Sequence, residues 1–321
     1  MRRCRFFVAI LALLSVVVLA AQVHAQDRVR IGISSHGFGF LPTVLAENRG
    51  FYAKHGITTE HVMIKSSIAT VALDNNDIDY YVGVGPAISA VLNGIPLKIT
   101  MLTAAKLHFL LLVKPEVQKV TELRGKTIGI SRFGSTTHLT LRTILSHFNL
   151  VAGKDVKLLA VGDPESALAA LERGQIDAAY HGAPLDIGGV KLGYKILLWA
   201  RDYLDQPMAS LVATDRKLNQ KPEQIKRIMK GTMEALLFIR NEKEATVQFI
   251  SRWMKVDPAT AAKMYENLSP IFSQDGTITD KAIKAAMDDV LEQTKSKKEV
   301  PVSMLVDSSL LKQVQKEMGL R

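Results

Sequence analysis

Short apolar runs alternate with longer amphipathic segments from Arg28 to about Trp199. The apolar runs have the length and composition of buried strands, and the amphipathic segments have the periodicity of helices packed on a sheet. This alternation predicts an α/β protein with mainly parallel sheets. After a further apolar run at residues 208–213 the pattern becomes helical. The predicted helix starts carry an N-cap residue or an early proline, and they are Pro222, Asp257 with Pro258, and Thr279.

The chain contains an internal repeat. Ile31-Gly32-Ile33-Ser34 recurs 97 residues later as Ile128-Gly129-Ile130-Ser131, and Ile78-Asp79 recurs 98 residues later as Ile176-Asp177. Each copy predicts a strand, a helix that ends at a glycine (Gly56 or Gly153), and further βα units. In the first copy one helix is predicted over residues 41–55. Convergence of two unrelated segments on a common α/β pattern is the alternative explanation.

Duplication predicts two similar lobes. Open α/β sheets bind ligands beyond the carboxyl ends of their strands, so two such sheets predict a cleft between them. The helical segments from about Gln206 onward are expected to cover the first lobe, which would make that lobe discontinuous in sequence.

Residues 1–25 resemble an export signal. Three arginines precede an apolar stretch from Phe6 to Ala21, and Val23-His24-Ala25 forms a small-x-small cleavage pattern. A membrane anchor is the alternative, but an anchor requires a longer apolar span and basic residues on its far side. In this sequence the far side continues with Gln26-Asp27. Cys4, the only cysteine, would be removed with this segment, so no thiol chemistry is expected.

The composition excludes several classes of protein. Apolar residues make up 47% of the chain, which is too many for a disordered protein. The net charge is +10, but the basic residues are scattered and form no run with interleaved aromatics. We therefore expect a surface that attracts anions and no binding of nucleic acid.

Several stretches together resemble the NMT1/THI5-like (SsuA-like) substrate-binding proteins of ABC importers. The matching stretches are residues 45–57, 72–79, 94–98, 123–130 and 167–178. The resemblance implies a type II periplasmic binding fold, α/β in class, in which each lobe is an open, mainly parallel sheet flanked by helices. It implies lobe I at residues 26–108 and 206–321, lobe II at residues 109–205, and hinge strands near residues 109–113 and 207–213.

The resemblance also implies a function. A periplasmic protein of this kind captures a small solute and delivers it to an inner-membrane ABC permease. One enzyme of the same superfamily makes the thiamine pyrimidine, but it needs a cysteine-rich iron-binding motif, which residues 26–321 lack.

The clearest candidate binding segment follows the predicted strand at residues 127–131. Ser135, Thr136 and Thr137 stand where a helix begins, and helix N-termini with free N–H groups and hydroxyls bind anions. Ser and Thr are also ordinary N-caps, so one of these hydroxyls needs no ligand. In the first lobe the equivalent turn offers Ser35, His36 and Phe38. The alternatives there are a solvated histidine and an aromatic ring that staples the following helix.

The ends of the third strands are repeat-equivalent and are expected to face each other across the cleft. They carry Gly85 and Pro86 in the first lobe and Tyr180 and His181 in the second. The alternative for Tyr180 is that it lies in the core, with its hydroxyl hydrogen-bonded locally, and does not contact a ligand. Arg201 follows an apolar run near the second hinge, where it could bind a carboxylate or sulfonate, or lock the hinge by pairing with Asp202 or Asp205.

Motifs of catalysis are absent from the sequence: it has no G-x-S-x-G, no P-loop and no H-E-x-x-H, and its histidines lack metal-ligand spacing. The hypothesis is a monomeric periplasmic binding protein for a small organic anion of sulfonate or carboxylate type, with no cofactor and no metal. A ligand-presenting partner of a membrane sensor is a second hypothesis, and a binder of a thiamine-pyrimidine precursor is a third.

Overall fold

The computed structural model describes residues 27–34 and 37–320 and builds them into two five-stranded sheets. The proposed signal peptide, Ser35 and His36 lie outside the described residues. The strands are β1 (Asp27–Ile33), β2 (Ile57–Met63), β3 (Tyr80–Val82), β4 (Leu97–Ala104), β5 (Leu110–Val113), β6 (Thr127–Ile130), β7 (Lys157–Ala160), β8 (Ala178–His181), β9 (Lys195–Trp199) and β10 (Ala209–Thr214).

Helices cover both faces of each sheet. They are α1 (Leu41–Asn48), α2 (Phe51–Lys54), α3 (Ser66–Asp74), α4 (Gly85–Leu92), α5 (Thr136–His147), α6 (Pro164–Glu172), α7 (Leu185–Lys191), α8 (Asp215–Gln220), α9 (Pro222–Asn241), α10 (Lys243–Met254), α11 (Pro258–Leu268), α12 (Asp280–Thr294), α13 (Val302–Leu305) and α14 (Ser309–Glu317). No helix in the part of the chain that the structure describes has the length and apolar character needed to cross a membrane.

The two sheets have the same strand order, β2-β1-β3-β10-β4 in the first and β7-β6-β8-β5-β9 in the second. In each sheet one strand runs antiparallel to both of its neighbours, β10 in the first sheet and β5 in the second. The remaining strands of each sheet run in one direction. The predicted class of two mainly parallel α/β sheets is confirmed, and we call the first sheet with its helices lobe I and the second with its helices lobe II.

The chain passes between the lobes twice, through residues 105–109 and residues 200–208. We call these segments the first and second linkers. The predicted hinge strands are β5 and β10, each of which directly follows a linker. Backbone hydrogen bonds hold the linkers in place: Ala200 N donates to Phe109 O at 2.8 Å, and Met208 N donates to Ala104 O at 2.9 Å.

Equivalent residues of the repeat occupy equivalent places in the two sheets. Ile31 pairs with Tyr80 and Gly32 with Tyr81, while Ile128 pairs with Ala178 and Gly129 with Ala179. The residues just before the third strand of each copy match as well. Arg30 N donates to the Asp79 carboxylate and Thr127 N donates to the Asp177 carboxylate, both at 2.8 Å. The repeat predicted from sequence is therefore confirmed as a structural repeat.

The C-terminal helices α9, α10, α11 and α14 pack on one face of the first sheet, and α12 packs on its other face. The predicted caps are present: Asp257 accepts a hydrogen bond from Thr260 N, and Thr279 accepts one from Ala282 N. The prediction of a single helix over residues 41–55 is wrong. It is broken into α1 and α2 because Gly50 adopts a left-handed conformation with φ of 73°.

Close packing at the repeat glycines gives a stability prediction. A Cβ added at Gly32 would lie 2.6 Å from Ile78 Cδ1, and one added at Gly129 would lie 2.6 Å from Ile176 Cδ1. We expect Gly32→Ala and Gly129→Ala each to lower the free energy of unfolding by about 1–3 kcal/mol, because both sites are already filled. Urea denaturation measures this.

The matched control removes the clashing methyl group. Gly32→Ala combined with Ile78→Val should recover part of the loss, although Ile78→Val alone costs about 1 kcal/mol. A double variant that is as unstable as the sum of the two single variants would contradict the packing explanation.

Candidate functional site

Among the described residues, two helix pairs join the lobes. At the first, α11 of lobe I meets α7 of lobe II, where Asn267 Nδ2 donates to Asp186 Oδ2 at 2.9 Å and Lys191 Nζ reaches Thr260 Oγ1 at 3.4 Å. Ile187 of α7 packs into the apolar core of lobe I. At the second, α12 of lobe I meets α5 of lobe II.

The second contact carries an ion pair between Arg142 of α5 and Glu292 of α12, both about half exposed. The same helix α12 lies against the predicted binding loop of lobe I, because a Cβ added at Gly85 would be 4.0 Å from Val290 Cγ2. Gly85 and Pro86 begin α4 and are partly exposed. They therefore lie next to a helix that also touches lobe II.

The hydroxyl-rich segment of lobe II caps α5. Ser135 is the N-cap, and its Oγ donates to Arg132 O at 2.7 Å. The hydroxyls of Ser131, Ser135 and Thr137 lie 2.7–2.9 Å from one another. The Ser135 hydroxyl proton is used in the hydrogen bond to the Arg132 carbonyl oxygen. Only the protons of Ser131 and Thr137 then remain for the three contacts among the hydroxyls, so the cluster has no free donor for a ligand.

Exposure separates the three predicted residues of this segment. Ser135 and Thr137 are only 8% and 4% exposed, whereas Thr136 is exposed. Thr136 is therefore the member whose side chain is open to solvent in this conformation. Contact of any of the three with a ligand stays a prediction.

Tyr180 and His181, at the end of the third strand of lobe II, occupy different environments. Tyr180 is fully buried, its hydroxyl lies 3.0 Å from Thr140 Oγ1, and burial raises its pKa well above the usual range. It occupies the core position that the sequence left as the alternative, and in this conformation no part of it is open to a cleft.

His181 is bound to its own loop. Its Nε2 lies 3.0 Å from Gly162 O, and its Nδ1 accepts from Gly182 N at 2.9 Å. These contacts fit a neutral ring that carries its proton on Nε2, and burial lowers the pKa of His181 in agreement. In lobe I, Phe38 is buried and stacks on Phe272 with ring centroids 5.5 Å apart, so it too belongs to a core in this conformation.

A group of polar residues, one buried and two partly buried, lies where the linkers meet α7. His108 belongs to the first linker, Arg201 to the second, and Asp186 to the first turn of α7. We call these three residues the hinge cluster. His108 is packed on the predicted binding loop, since a Cβ added at Gly182 would be 2.4 Å from His108 Nε2. The cluster therefore joins both linkers to the third-strand loop of lobe II.

Each member of the hinge cluster has a shielded polar atom without a partner among the described residues: His108 Nδ1, Asp186 Oδ1 and Arg201 Nη1. Asp186 is 1% exposed, and burial raises its pKa. Burial likewise lowers the pKa of His108 to about 4, so its ring is neutral at pH 7. Arg201 stacks on Trp199, with its guanidinium carbon 4.0 Å from the ring centroid.

Two members of this cluster, His108 and Asp186, were not predicted from the sequence, whereas Arg201 was. Of the two roles considered for Arg201, the hinge lock is not formed among the described residues: Asp205 lies 3.6 Å from Lys281, and Arg201 Nη1 has no hydrogen-bond partner there. The available signals were a histidine just before a predicted hinge strand and an aspartate inside an otherwise apolar helix start. Among the described residues, no group of His, Cys, Asp or Glu is arranged to hold a metal ion.

Comparison with known proteins identifies the family. The model of the NMT1-like family matches residues 25–254. The chain belongs to the NMT1-like family. A candidate binding protein of Brucella abortus (strain 2308) is 26% identical to this chain over 254 residues, which cover 77% of this chain and 78% of that protein.

Two further relatives have names that state a ligand. The taurine-binding periplasmic protein of Escherichia coli (strain K12) is 32% identical over 148 residues, covering 44% of this chain and 45% of that protein. A periplasmic sulfonate-binding protein SsuA from Methylobacillus flagellatus KT shares the fold with a TM-score of 0.76 at 18% identity, covering 93% of this NMT1-like chain and 97% of the other. The type II periplasmic binding fold expected from the sequence is thus confirmed.

The hydroxyl cluster gives a second stability prediction. We expect Ser135→Ala to lower the free energy of unfolding by about 1 kcal/mol, because it removes the α5 cap and one partner of Ser131 and Thr137. Thr136→Ala is the matched control, and as an exposed site it should change the free energy by less than about 0.5 kcal/mol. Chemical denaturation of both variants is the measurement, and equal losses would contradict the assigned cap.

A half-buried carboxylate beside the second linker gives a pH prediction. Asp289 of α12 accepts a hydrogen bond from Gln206, and burial raises its pKa to about 6. The folded protein thus binds this proton more readily than the unfolded chain does, so the ionised group destabilises the fold above pH 6. That cost fades as the pH falls through 6 towards the ordinary value near 4.

Asp289→Asn should therefore raise the free energy of unfolding at pH 7.5 by about 1–2 kcal/mol, after allowance for partial exposure. The difference from the unaltered protein should disappear near pH 4. Thermal melts across this pH range measure it. A variant that is less stable than the unaltered protein at pH 7.5 would show that the ionised carboxylate is a favourable partner in the fold.

Proposed function

We propose that this protein is the solute-binding component of an ABC importer. It works in the periplasm after loss of residues 1–25, as a monomer, and delivers a small organic anion of sulfonate or carboxylate type to a permease. Lobe I is formed by residues 26–108 and 206–321 and lobe II by residues 109–205. Support comes from the family, from the ligands in the names of its relatives, and from a positive net charge, which is +10 for the whole sequence and falls to +7 without the three arginines of residues 1–25.

The observation that carries the proposal is the pair of linkers. Two covalent connections would let the lobes move about one axis, and the helix contacts α7–α11 and α5–α12 join the lobes in the conformation described. A ligand held between the lobes touches both and so binds the closed state more tightly than the open state. It shifts the equilibrium by that difference in affinity, and the closed form is the one that the permease recognises.

Binding groups for the ligand come from both lobes. In this proposal Gly85 and Pro86 contribute from lobe I, and Thr136 and His181 contribute from lobe II. The role is binding and release without covalent change, so no catalytic residue is assigned.

A ligand screen tests the function. The protein without residues 1–25 is heated with aliphatic and aromatic sulfonates, carboxylates and nitrate, and the melting temperature is recorded. A ligand that raises it should also reduce the radius of gyration measured by small-angle X-ray scattering, because it favours closure. A full panel without a thermal shift would contradict the proposal, as would a ligand that binds without compaction.

The α5–α12 ion pair gives a prediction about closure. Arg142→Glu places two like charges at the contact with Glu292 and should weaken binding of a screened ligand by about two- to fivefold, since exposed pairs contribute up to about 1 kcal/mol. The double variant Arg142→Glu with Glu292→Arg should restore the affinity. Titration calorimetry measures both, and a double variant as weak as the single one would contradict the contact.

A further inference from the structure

Helix α12 carries three acidic residues where lobe I meets lobe II. Asp288, Asp289 and Glu292 lie on this helix, which contacts α5 of lobe II as well as α4 of its own lobe. Two of these acids have a basic partner: Asp288 lies 3.2 Å from Lys284, and Glu292 pairs with Arg142 of α5. Asp289 has no basic partner within 4.0 Å among the residues that the structure describes. Its charge is therefore the one that α12 leaves unpaired.

The surroundings of Asp289 come from both lobes and from the second linker. Its carboxylate accepts a hydrogen bond from Gln206 of that linker, and Gln206 Nε2 also reaches Ala285 O at 3.5 Å. On the lobe II side, Tyr180 is within electrostatic range: burial raises the pKa of that phenol, and the negative charge of Asp289 raises it further. Asp289 thus lies in the contact between the lobes, beside a segment that links them.

The charged and titratable groups around Asp289 leave its negative charge uncompensated. Asp288 and Glu292 of its own helix both oppose its ionisation. The groups on the other elements are His138 and Arg142 of α5, Tyr180 of β8, and Asp205 of the second linker, whereas α4 has no charged residue. Arg142 is held by Glu292, and burial together with Arg142 lowers the pKa of His138, so its ring is neutral at pH 7. No positive charge on these elements is thus available to Asp289.

Separation of the lobes changes what surrounds Asp289. With α5 and Tyr180 withdrawn, water reaches the carboxylate, and an exposed aspartate has a pKa of about 4. In the joined conformation burial raises the pKa of Asp289 to about 6. The joined conformation therefore binds a proton more readily than the separated one. By linkage, its share of the population rises as the pH falls through about 6, and the effect is complete below about 4.

We propose that closure of the lobes is linked to the uptake of a proton by Asp289. This inference rests on the proposed function, since closure is the step by which that function holds a solute, and it adds a dependence on acidity. The protein holds its solute more tightly in a mildly acidic medium and releases it more readily in a neutral one. Ionised Asp289 favours the open form, and protonated Asp289 permits closure.

Single-molecule fluorescence energy transfer measures closure without a ligand. Residues 26–321 contain no cysteine, so Asn75→Cys with Arg173→Cys gives one labelling site in each lobe. These exposed residues follow α3 and α6 at equivalent places of the repeat. The ratio of closed to open molecules should rise about tenfold from pH 7.5 to pH 5, which is the change that a pKa rising from about 4 to about 6 on closure produces.

One variant and a matched control test the residue. Asp289→Asn removes the titrating group, so the ratio should no longer depend on pH and should exceed that of the unaltered protein at pH 7.5. Asp280→Asn, at an exposed carboxylate in the first turn of the same helix, should keep the tenfold response.

A binding measurement extends the test to the solute. Ethanesulfonate and benzenesulfonate keep one negative charge from pH 5 to pH 7.5, so a change in their affinity reports on the protein. Calorimetry should show binding up to about tenfold tighter at pH 5 for the unaltered protein, and no change for Asp289→Asn.

The outcomes separate the two proposals. A ratio that is independent of pH in the unaltered protein, or a response that persists in Asp289→Asn, would overturn the proton-linked closure. If the sulfonates bind equally well at both pH values, the linkage fails and the transport function stands. If acidity closes the lobes but no solute of the wider panel binds, the linkage stands and the transport function fails.

Discussion

The double crossing of the chain between the sheets is the constraint on which the structure depends. Each linker is short, and each is tied by a backbone hydrogen bond, from Ala200 to Phe109 and from Met208 to Ala104. The bonds couple the ends of β4, β5, β9 and β10, so that a rotation of one lobe must be absorbed in the linkers themselves. Polar groups placed in these segments therefore respond to the angle between the lobes.

Much of the fold was predictable because the same local demands recur in the two halves. At Gly32 and Gly129 an isoleucine methyl group occupies the space that a side chain would need, and at Asp79 and Asp177 a carboxylate accepts from the neighbouring strand. Such demands leave the same residue types at the same spacing. The break at Gly50 was missed because the apolar positions continue through it, and only the backbone angle shows where the helix ends.

The binding site was less predictable, for a physical reason. A serine at a helix start looks the same in sequence whether it binds a ligand or caps a helix, and only the hydrogen-bond count around Ser135 separates the two uses. The hinge cluster has the opposite problem. Its residues stand far apart in sequence, and neither burial nor a missing partner can be seen before the chain is folded. Arg201 attracted attention for its charge, whereas His108 and Asp186 looked ordinary.

The position of β10 has a consequence for how the protein is assembled. This strand lies between β3 and β4, so the first sheet stays split in its middle until residues 209–214 have been made. All strands of the second sheet, by contrast, come from one uninterrupted stretch of chain. Local contacts form sooner than distant ones, so the N-terminal half should finish folding last, although it leaves the ribosome first. Until then β3 and β4 present unpaired edges, which favours a chaperone or delayed folding while the chain is being made.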